Sequence, residues 1–203
     1  MKLFRDFIEK LKSTESQSRL VIVLNTPGGT AEAVEKMVEI VRFHYSEVWF
    51  VVPDYAMSAG TIFCMSGDKI FMDYSSSLGP IDPQVPKGNE YVPALGYLEK
   101  VEQLLEKARH HGTNPARVGQ LVTDQEKQQR AEEIAKALGD HKFWHSHGRM
   151  ISAETATKVL KLKIDDYSHD TNLRNLVRSY NDLLIEYIGR NDYKLFMHSR
   201  NYF

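Results

Sequence analysis

The segment RLVIVLNTPGGTAEAVEKM, residues 19–37, contains the pattern from which the class of fold is inferred. It opens with a continuous apolar run rich in β-branched residues, Arg19 to Leu24, which predicts a short strand buried on both faces. The apolar residues that follow recur at steps of three and four, which is the spacing of an α-helix: Val34, Met37, Val38 and Val41. The glycines between the two patterns, Gly28 and Gly29, therefore mark a tight turn from strand to helix.

The same succession of strand and helix continues along the chain. EVWFVV, residues 47–52, predicts a second buried strand, and KIFMD, residues 69–73, predicts a third. Between them MSAGTIFCMSG, residues 57–67, is small and apolar, as is typical of a helix packed inside a domain. Strands that alternate with helices over short connections predict an α/β fold with a mostly parallel sheet and right-handed crossovers.

Composition excludes several classes of protein. The chain has 203 residues, of which 26 are basic and 27 acidic, and this balance gives no reason to expect binding to nucleic acid or to an acidic membrane. Its one cysteine, Cys64, rules out an internal disulfide and fits a reducing compartment and core packing. The sequence has neither a run of eighteen apolar residues nor a secretory signal, so it predicts a cytoplasmic protein without a membrane segment.

The remaining segments are predicted more coarsely. An amphipathic N-terminal helix is indicated by Leu3, Phe4, Phe7, Ile8 and Leu11. Residues 74–94 contain four prolines, too many for a regular element, and predict a long functional loop. Helices are expected over about 95–110 and 123–138, and Ser152 is expected to cap a helix that leads into a short strand.

A wide apolar stripe marks one helix near the C-terminus. Its members are Leu173, Leu176, Val177, Tyr180, Leu183, Leu184, Tyr187 and Ile188. The stripe fits either a helix docked on its own domain or a contact between copies of the chain, and both interpretations stay open. We expect a homo-oligomer if the second holds.

Two predicted strand-to-helix turns contain groups that could bind a ligand or take part in a reaction. Backbone N–H groups at a helix N-terminus stabilise negative charge, so the Gly28–Gly29 turn suits a phosphate or the oxyanion of acyl transfer. The turn lacks the Lys-Ser/Thr of a P-loop and the third glycine of a dinucleotide fingerprint. Ser58 lies at the next predicted bend, where its hydroxyl would sit beside the N–H of Ala59. Alternatively, Ser58 only caps its helix and the glycines only form a turn.

Three segments together carry a family resemblance. LNTPGG (24–29), AMSAGTIFCMSGDKIFMDYSSSLGPIDPQ (56–84) and SHGRMI (146–151) resemble the serine dehydrogenase proteinase family, related to Clp protease and signal peptide peptidase A. The resemblance implies the crotonase-type α/β fold and hydrolysis of peptide or protein substrates. It also implies a peptidase domain over residues 1–170, followed by an amphipathic helix and tail over 171–203.

The resemblance also implies roles for particular residues. Ser58 matches the nucleophile, whereas Gly28, Gly29 and Ala59 match the oxyanion-hole segments. The family is described with a Ser, Asp, His triad in chain order, and the matching residues are Asp82 and His147. In such a triad the imidazole accepts the serine proton and the carboxylate orients the imidazole.

Alternatives to this triad remain. Asp68 and Asp73 are rival acids, and His145 is a rival base. Signal peptide peptidase A relatives use a Ser–Lys dyad instead, and the candidate lysines are Lys100, Lys107 and Lys127.

Three histidines near residue 145 have a spacing that is compatible with a metal site. His141, His145 and His147 have a spacing that can bind zinc, but no ligand carboxylate is assigned to this loop. We therefore expect neither a metal nor a cofactor.

The beginning of the chain departs from the family pattern. Crotonase-type domains place a strand before the first helix, beside the strand that leads to the Gly-Gly turn. Here the sequence begins at the helix LFRDFIEKL, residues 3–11, so we expect that first strand to be missing. Many family members also carry an N-terminal membrane segment, which would associate a longer form with a membrane. An unpaired edge would weaken folding and substrate positioning, so a catalytically impaired interaction module is the alternative function.

Overall fold

Strands and helices alternate along most of the chain in the computed structural model, which describes residues 1–14, 17–81, 84–87, 90–93 and 124–200. The strands are β1 Arg19–Val23, β2 Glu47–Val52, β3 Tyr55–Ala56, β4 Lys69–Met72, β5 Ser77–Leu78, β6 Gln84–Lys87, β7 Glu90–Pro93, β8 Ile151–Ser152 and β9 Ile164–Asp166. The helices are α1 Lys2–Thr14, α2 Ala31–His44, α3 Ala59–Met65, α4 Asp124–Gly139, α5 His141–Trp144, α6 Ala153–Lys158 and α7 Thr171–Arg190. The chain divides into two compact units, Met1–Asp166 and Tyr167–Phe203.

The main sheet of the first unit has the strand order β1-β2-β4-β9, and each neighbouring pair is parallel. Parallel neighbours need a crossover, and α2 and α3 lie in the connections between β1, β2 and β4. The predicted α/β class and the mostly parallel sheet are therefore confirmed.

The hydrophobic core lies where the helices meet the inner face of this sheet. Along β2, buried and half-buried residues alternate, so that one face of the strand enters the core. Every residue of α3 is buried, as its small apolar sequence predicts. The rings of Phe50 on β2 and Phe63 on α3 meet edge to face, with centroids 4.8 Å apart.

The prediction that β1 is buried on both faces is wrong. Val21 and Val23 are 49% and 50% exposed, whereas Leu20 and Ile22 pack against the core. Within the described residues β1 lies at the edge of the main sheet, with β2 on one side. A continuous apolar run does not distinguish a central strand from an edge strand, because that difference depends on which strands pair with it.

The prediction that residues 74–94 form no regular element is also wrong. β5 lies in this region, and β6 and β7 form an antiparallel hairpin in which Pro86 pairs with Tyr91 and Gln84 with Pro93. Proline is compatible with strands that have a free edge, because the missing N–H then removes no ladder hydrogen bond.

Several other elements agree with the sequence predictions. Ser152 caps α6 by accepting a hydrogen bond from the Thr155 N–H at 3.2 Å, and β9 follows. The helix predicted over 123–138 is α4. The helix predicted over 95–110 falls outside the described residues.

The second unit consists mainly of α7 and the tail that follows it. Asp170 caps the helix by accepting a hydrogen bond from the Leu173 N–H at 3.0 Å. In the part of the chain that the structure describes, no helix has the length and apolar character needed to cross a membrane.

Candidate active site

Four chain segments meet at one end of the strands of a small second sheet. β3 and β5 are parallel, β5 and β8 are antiparallel, and Thr26 forms a parallel bridge with Ala56 of β3. In this arrangement the residues after Thr26, after β3 and after β5 leave the sheet at the same end. The residues before β8 approach that same end. Four features therefore lie at this end of the small sheet: the Gly-Gly turn, Ser58, the start of the loop after β5 and the segment that contains His147.

Ser58 forms a strained elbow between β3 and α3. Its φ is 51° and its ψ is −120°, a conformation that is unfavourable for a residue with a Cβ. Although Ser58 occupies the N-cap position, its side chain makes no capping hydrogen bond. The alternative interpretation, in which Ser58 only caps its helix, is therefore wrong. Its half-buried hydroxyl lies at a sharp strand-to-helix turn, which is the geometry of a nucleophile elbow.

Backbone N–H groups border this serine. The N–H groups of Ala59 and Gly29 have no hydrogen-bond acceptor among the described residues. The N–H of Gly28 differs, because it donates to Thr26 Oγ1 at 3.1 Å. Gly29 and Ala59 are thus the two positions of the expected oxyanion hole whose N–H groups donate to no other described residue.

Gly28 brings the turn directly against Ser58. Its φ is +112°, and a Cβ placed there would lie 2.8 Å from the Met57 carbonyl oxygen and 3.0 Å from the Ser58 Cβ. Both the backbone conformation and the space exclude a side chain. The sequence motif therefore places glycine at the point where the two bends touch.

Thr26 joins the Gly-Gly turn to β3 and to the elbow. Its N–H donates to the Tyr55 carbonyl at 3.0 Å, and its carbonyl accepts from the Met57 N–H at 3.0 Å. Its hydroxyl accepts the Gly28 N–H. Thr26 is thus hydrogen-bonded both to the Gly-Gly turn and to the residues that precede Ser58.

Thr61 joins the elbow helix to the loop after β5. Its fully buried Oγ1 lies 2.8 Å from the Ala56 carbonyl oxygen and 2.9 Å from that of Gly79, and it accepts the Gly79 N–H at 2.9 Å. Sequence reasoning missed both threonines. The available signal for Thr61 is a polar residue within an otherwise apolar helix.

The segment before β8 forms a turn around Ser146. Its carbonyl accepts from the Arg149 N–H at 3.1 Å, and its hydroxyl accepts from the Gly148 N–H at 3.2 Å. His147 lies inside this turn and is half-buried, whereas His145 is exposed. The turn holds the His147 backbone four residues before β8.

The other sequence-derived candidates fall in different places. Asp82, Lys100 and Lys107 lie outside the described residues, and Lys127 lies on α4. The two rival acids have structural partners. Asp68 binds Arg42 at 2.8 Å and the Val48 N–H at 2.7 Å. Asp73 is fully buried and accepts the Ser75 and Ser76 N–H groups.

The structure also bears on the Cys64 thiol and on the possible metal site. Cys64 is fully buried, and this burial raises the pKa of its thiol far above its usual range, so the thiolate needed for reaction is disfavoured. Among the residues that the structure describes, no group of three or more His, Cys, Asp or Glu side chains is arranged to hold a metal ion.

The parallel sheet, the strained serine elbow and the adjoining amide turn define an α/β domain of the ClpP-like, crotonase type. A family model for ClpP-like SDH-type serine proteinases matches residues 5–186, and the chain belongs to this family. The predicted resemblance is confirmed.

Curated relatives include two uncharacterized proteins of Methanocaldococcus jannaschii. One is 28% identical over 173 residues, covering 79% of this chain and 58% of the relative. The other is 26% identical over 159 residues, covering 72% of this chain and 53% of the relative. The chain thus spans little more than half the length of these relatives.

Solved structures with a similar fold include two forms of the 1510-N membrane-bound stomatin-specific protease. A lysine-to-alanine mutant in complex with a substrate peptide has a TM-score of 0.56 and 16% identity, covering 82% of this chain and 68% of that one. A serine-to-alanine mutant has a TM-score of 0.57 and 16% identity, covering 82% and 72%. At this identity the likeness concerns the fold.

Proposed function

We propose that the chain hydrolyses peptide bonds through an acyl-enzyme on Ser58. The observation that carries this proposal is the strained elbow at Ser58, which touches an amide turn, in a member of a serine proteinase family. Strain of this kind is sustained at functional sites more often than elsewhere. A serine with an uncommitted hydroxyl and N–H groups beside it meets the two first requirements of acyl transfer.

The proposed reaction has two halves. Ser58 Oγ attacks the carbonyl carbon of the scissile peptide bond while its proton passes to the base. The carbonyl oxygen becomes an oxyanion that the Gly29 and Ala59 N–H groups stabilise. The C–N bond then breaks, and the leaving amine takes the proton from the base. Water, deprotonated by the same base, attacks the acyl-enzyme and releases the carboxylic acid and free Ser58.

Gly28 has a conformational role in this proposal. Its N–H is engaged by Thr26, and its lack of a Cβ lets the turn approach Ser58. We therefore assign the oxyanion contacts to Gly29 and Ala59, and to Gly28 the shape of the turn that aims the Gly29 N–H.

His147 is the proposed base and Asp82 its orienting acid. The turn around Ser146 leads into β8, and Asp82 follows the loop that begins at Gly79. The segment before β8 and the described residues 79–81 meet the small sheet at the end where Ser58 leaves it. Shared position at one sheet edge supports this assignment, since triads are assembled from separate segments that converge on one point.

A lysine base is the second candidate, and one observation favours it. The two solved neighbours carry alanine in place of a serine and of a lysine, at positions 41 residues apart in that protein. In this chain Lys100 follows Ser58 by 42 residues. A Ser58–Lys100 dyad would require a neutral lysine, which burial would favour by lowering its pKa.

The proposed substrate is an extended peptide. One solved neighbour is in complex with a substrate peptide, and extended peptides commonly bind by adding a strand to exposed backbone. If Ser58 proves unreactive in the folded protein, the alternative function is an interaction module that retains the fold.

Cleavage of a fluorogenic peptide library tests the proposal. Wild-type protein is expected to cleave a subset of the peptides, and Ser58→Ala is expected to lower kcat/KM by at least about 10³-fold. Equal cleavage by wild type and Ser58→Ala would overturn the nucleophile assignment.

The same assay separates the two bases. With a triad, His147→Ala loses at least about 10³-fold while its control His145→Ala stays within a few-fold. With a dyad, Lys100→Ala carries that loss while its control Lys107→Ala and the His147→Ala variant remain active.

A further inference from the structure

Trp144 anchors the chain segment that carries His147. The residue is 5% exposed and belongs to the hydrophobic core, and its indole Nε1–H donates to the Ala137 carbonyl at 2.6 Å. Its backbone N–H donates to the Asp140 carbonyl at 3.1 Å. His147 follows three residues later, in the turn around Ser146. A buried residue with two hydrogen bonds therefore lies shortly before the candidate base.

The C-terminal end of α4 provides the acceptor for this indole. Ala137 and Leu138 are among the last four residues of the helix, whose carbonyl groups have no partner within the helix itself. When such carbonyls are buried, they need donors from elsewhere in the chain. Trp144 supplies a donor to the Ala137 carbonyl, and the Ile81 N–H donates to the Leu138 carbonyl at 3.2 Å. One helix end thus holds both the segment that leads to the candidate base and the last described residue of the loop after β5.

The segment that begins at Trp144 is also fixed at its other end. Ile151 is fully buried on β8, which pairs with β5. Directly after α5, His145 has a φ of 60°, the left-handed conformation in which chains commonly leave a helix. Only residues 145–150 separate Trp144 from Ile151. Because the segment is short and held at both ends, a displacement of Trp144 would also move His147.

We propose that Trp144 is a positioning residue of the active site: its indole N–H, bound to the end of α4, sets where the His147 imidazole lies relative to Ser58. This inference rests on the proposed function, with His147 as the base. The indole takes no part in the proton transfer and acts through the backbone of the segment that follows it. A base must lie within hydrogen-bond reach of the hydroxyl whose proton it accepts, and a small displacement of a catalytic group is costly.

The second tryptophan of the chain provides a matched control. Trp144→Phe keeps an aromatic ring in the core but removes the indole donor to the Ala137 carbonyl. Trp49 is half-buried on β2, where its Nε1–H donates to the Glu47 carboxylate at 2.8 Å. Trp49→Phe therefore removes an indole hydrogen bond of similar length from a strand that has no part in the proposed reaction.

The rate at which a fluorophosphonate probe modifies Ser58 tests the proposal, measured with His147 present and in a His147→Ala background. Trp144→Phe should slow the reaction by about 10-fold to 100-fold when His147 is present. In the His147→Ala background it should slow the reaction by less than about 2-fold, because the base that it positions is already absent. Trp49→Phe should change the rate by less than about 2-fold in both backgrounds.

The possible failures of this experiment differ from one another. If Trp144→Phe slows the reaction equally in both backgrounds, or not at all, the positioning role is overturned while Ser58 and His147 keep theirs. If His147→Ala reacts at the wild-type rate, the base and its positioning residue are both overturned, and Ser58 remains the nucleophile. If folded wild-type protein is not labelled, the proposed function is overturned together with this inference.

Amide hydrogen exchange tests the anchoring without relying on activity or on the fit of a smaller ring. Benzothienylalanine in place of Trp144 keeps the bicyclic shape and replaces the indole N–H by sulfur. The Gly148 and Arg149 N–H groups, which donate within the turn around Ser146, should then exchange at least about 10-fold faster than in wild type. The Thr155 N–H, which is hydrogen-bonded at the start of α6, should exchange as in wild type. Unchanged exchange in the turn would contradict the proposal.

Discussion

Ser58 holds a backbone conformation that costs free energy, on the order of 1–3 kcal/mol for a residue with a side chain. The surrounding contacts explain how the fold sustains it. The Ser58 carbonyl accepts the Thr61 N–H at 2.9 Å, which begins α3, and Met57 is held by Thr26 immediately before the elbow. The strained residue therefore lies between two hydrogen-bonded residues, Met57 and Thr61. In this conformation the Ser58 hydroxyl does not make the hydrogen bond by which an N-cap serine ordinarily caps a helix.

The two glycines of the turn should respond differently to substitution by alanine. Gly28→Ala forces a Cβ to within 2.8 Å of the Met57 carbonyl oxygen at a φ of +112°, whereas a Cβ at Gly29 meets nothing within 4 Å. Gly28→Ala should lower the free energy of unfolding by about 1–3 kcal/mol. Gly29→Ala is the matched control and should change it by less than about 1 kcal/mol.

Chemical denaturation followed by circular dichroism measures both changes. Equal effects of the two substitutions would contradict the close approach of Gly28 to Ser58.

At the scale of elements, Thr61 couples the elbow helix to the loop after β5. One hydroxyl reaches the end of β3 at Ala56 and both backbone polar groups of Gly79, and all of these atoms are buried or nearly so. Gly79 in turn packs against Met57, where an added Cβ would lie 2.8 Å from the methionine Cε. The loop that leads towards Asp82 is thereby tied to the chain on both sides of Ser58.

Replacing Thr61 tests this coupling. Thr61→Val keeps the shape but leaves buried backbone groups without their partner, so it should cost about 1–3 kcal/mol of stability. It should also slow the reaction of Ser58 with an active-site probe, measured under conditions in which the variant is still folded. Thr61→Ser retains the hydroxyl and should react at close to the wild-type rate. A Thr61→Val variant that is destabilised but reacts normally would show that Thr61 only stabilises the fold.

Secondary structure was predictable where local periodicity decides it. The steps of three and four in residues 34–41 and the small apolar residues of 57–67 were enough to predict α2 and α3. In contrast, β3, β5 and β8 have two residues each, and they exist because Tyr55, Ser77 and Ser152 lie beside one another in the fold. Pairing between residues far apart in sequence has no local signal.

For the molecule as a whole, the sequence predicted the class of fold and the strand-to-helix bend at which Ser58 lies. Gly28 and Ser58 were identifiable because each stands where a strand pattern changes to a helix pattern. Their contact was not, since it depends on the parallel bridge between Thr26 and Ala56. The exposed outer side of β1 was not predictable either, because exposure of an edge strand depends on the order of strands in the sheet.

Ser58 is the proposed nucleophile of the folded protein, and its reactivity can be measured. The most direct measurement is incubation with a fluorophosphonate probe, followed by intact-mass determination and peptide mapping. We predict one adduct per chain on Ser58, loss of the adduct in Ser58→Ala, and protection of wild type by a peptide that it cleaves. A folded wild-type protein that remains unlabelled, or an adduct that persists in Ser58→Ala, would contradict the claim.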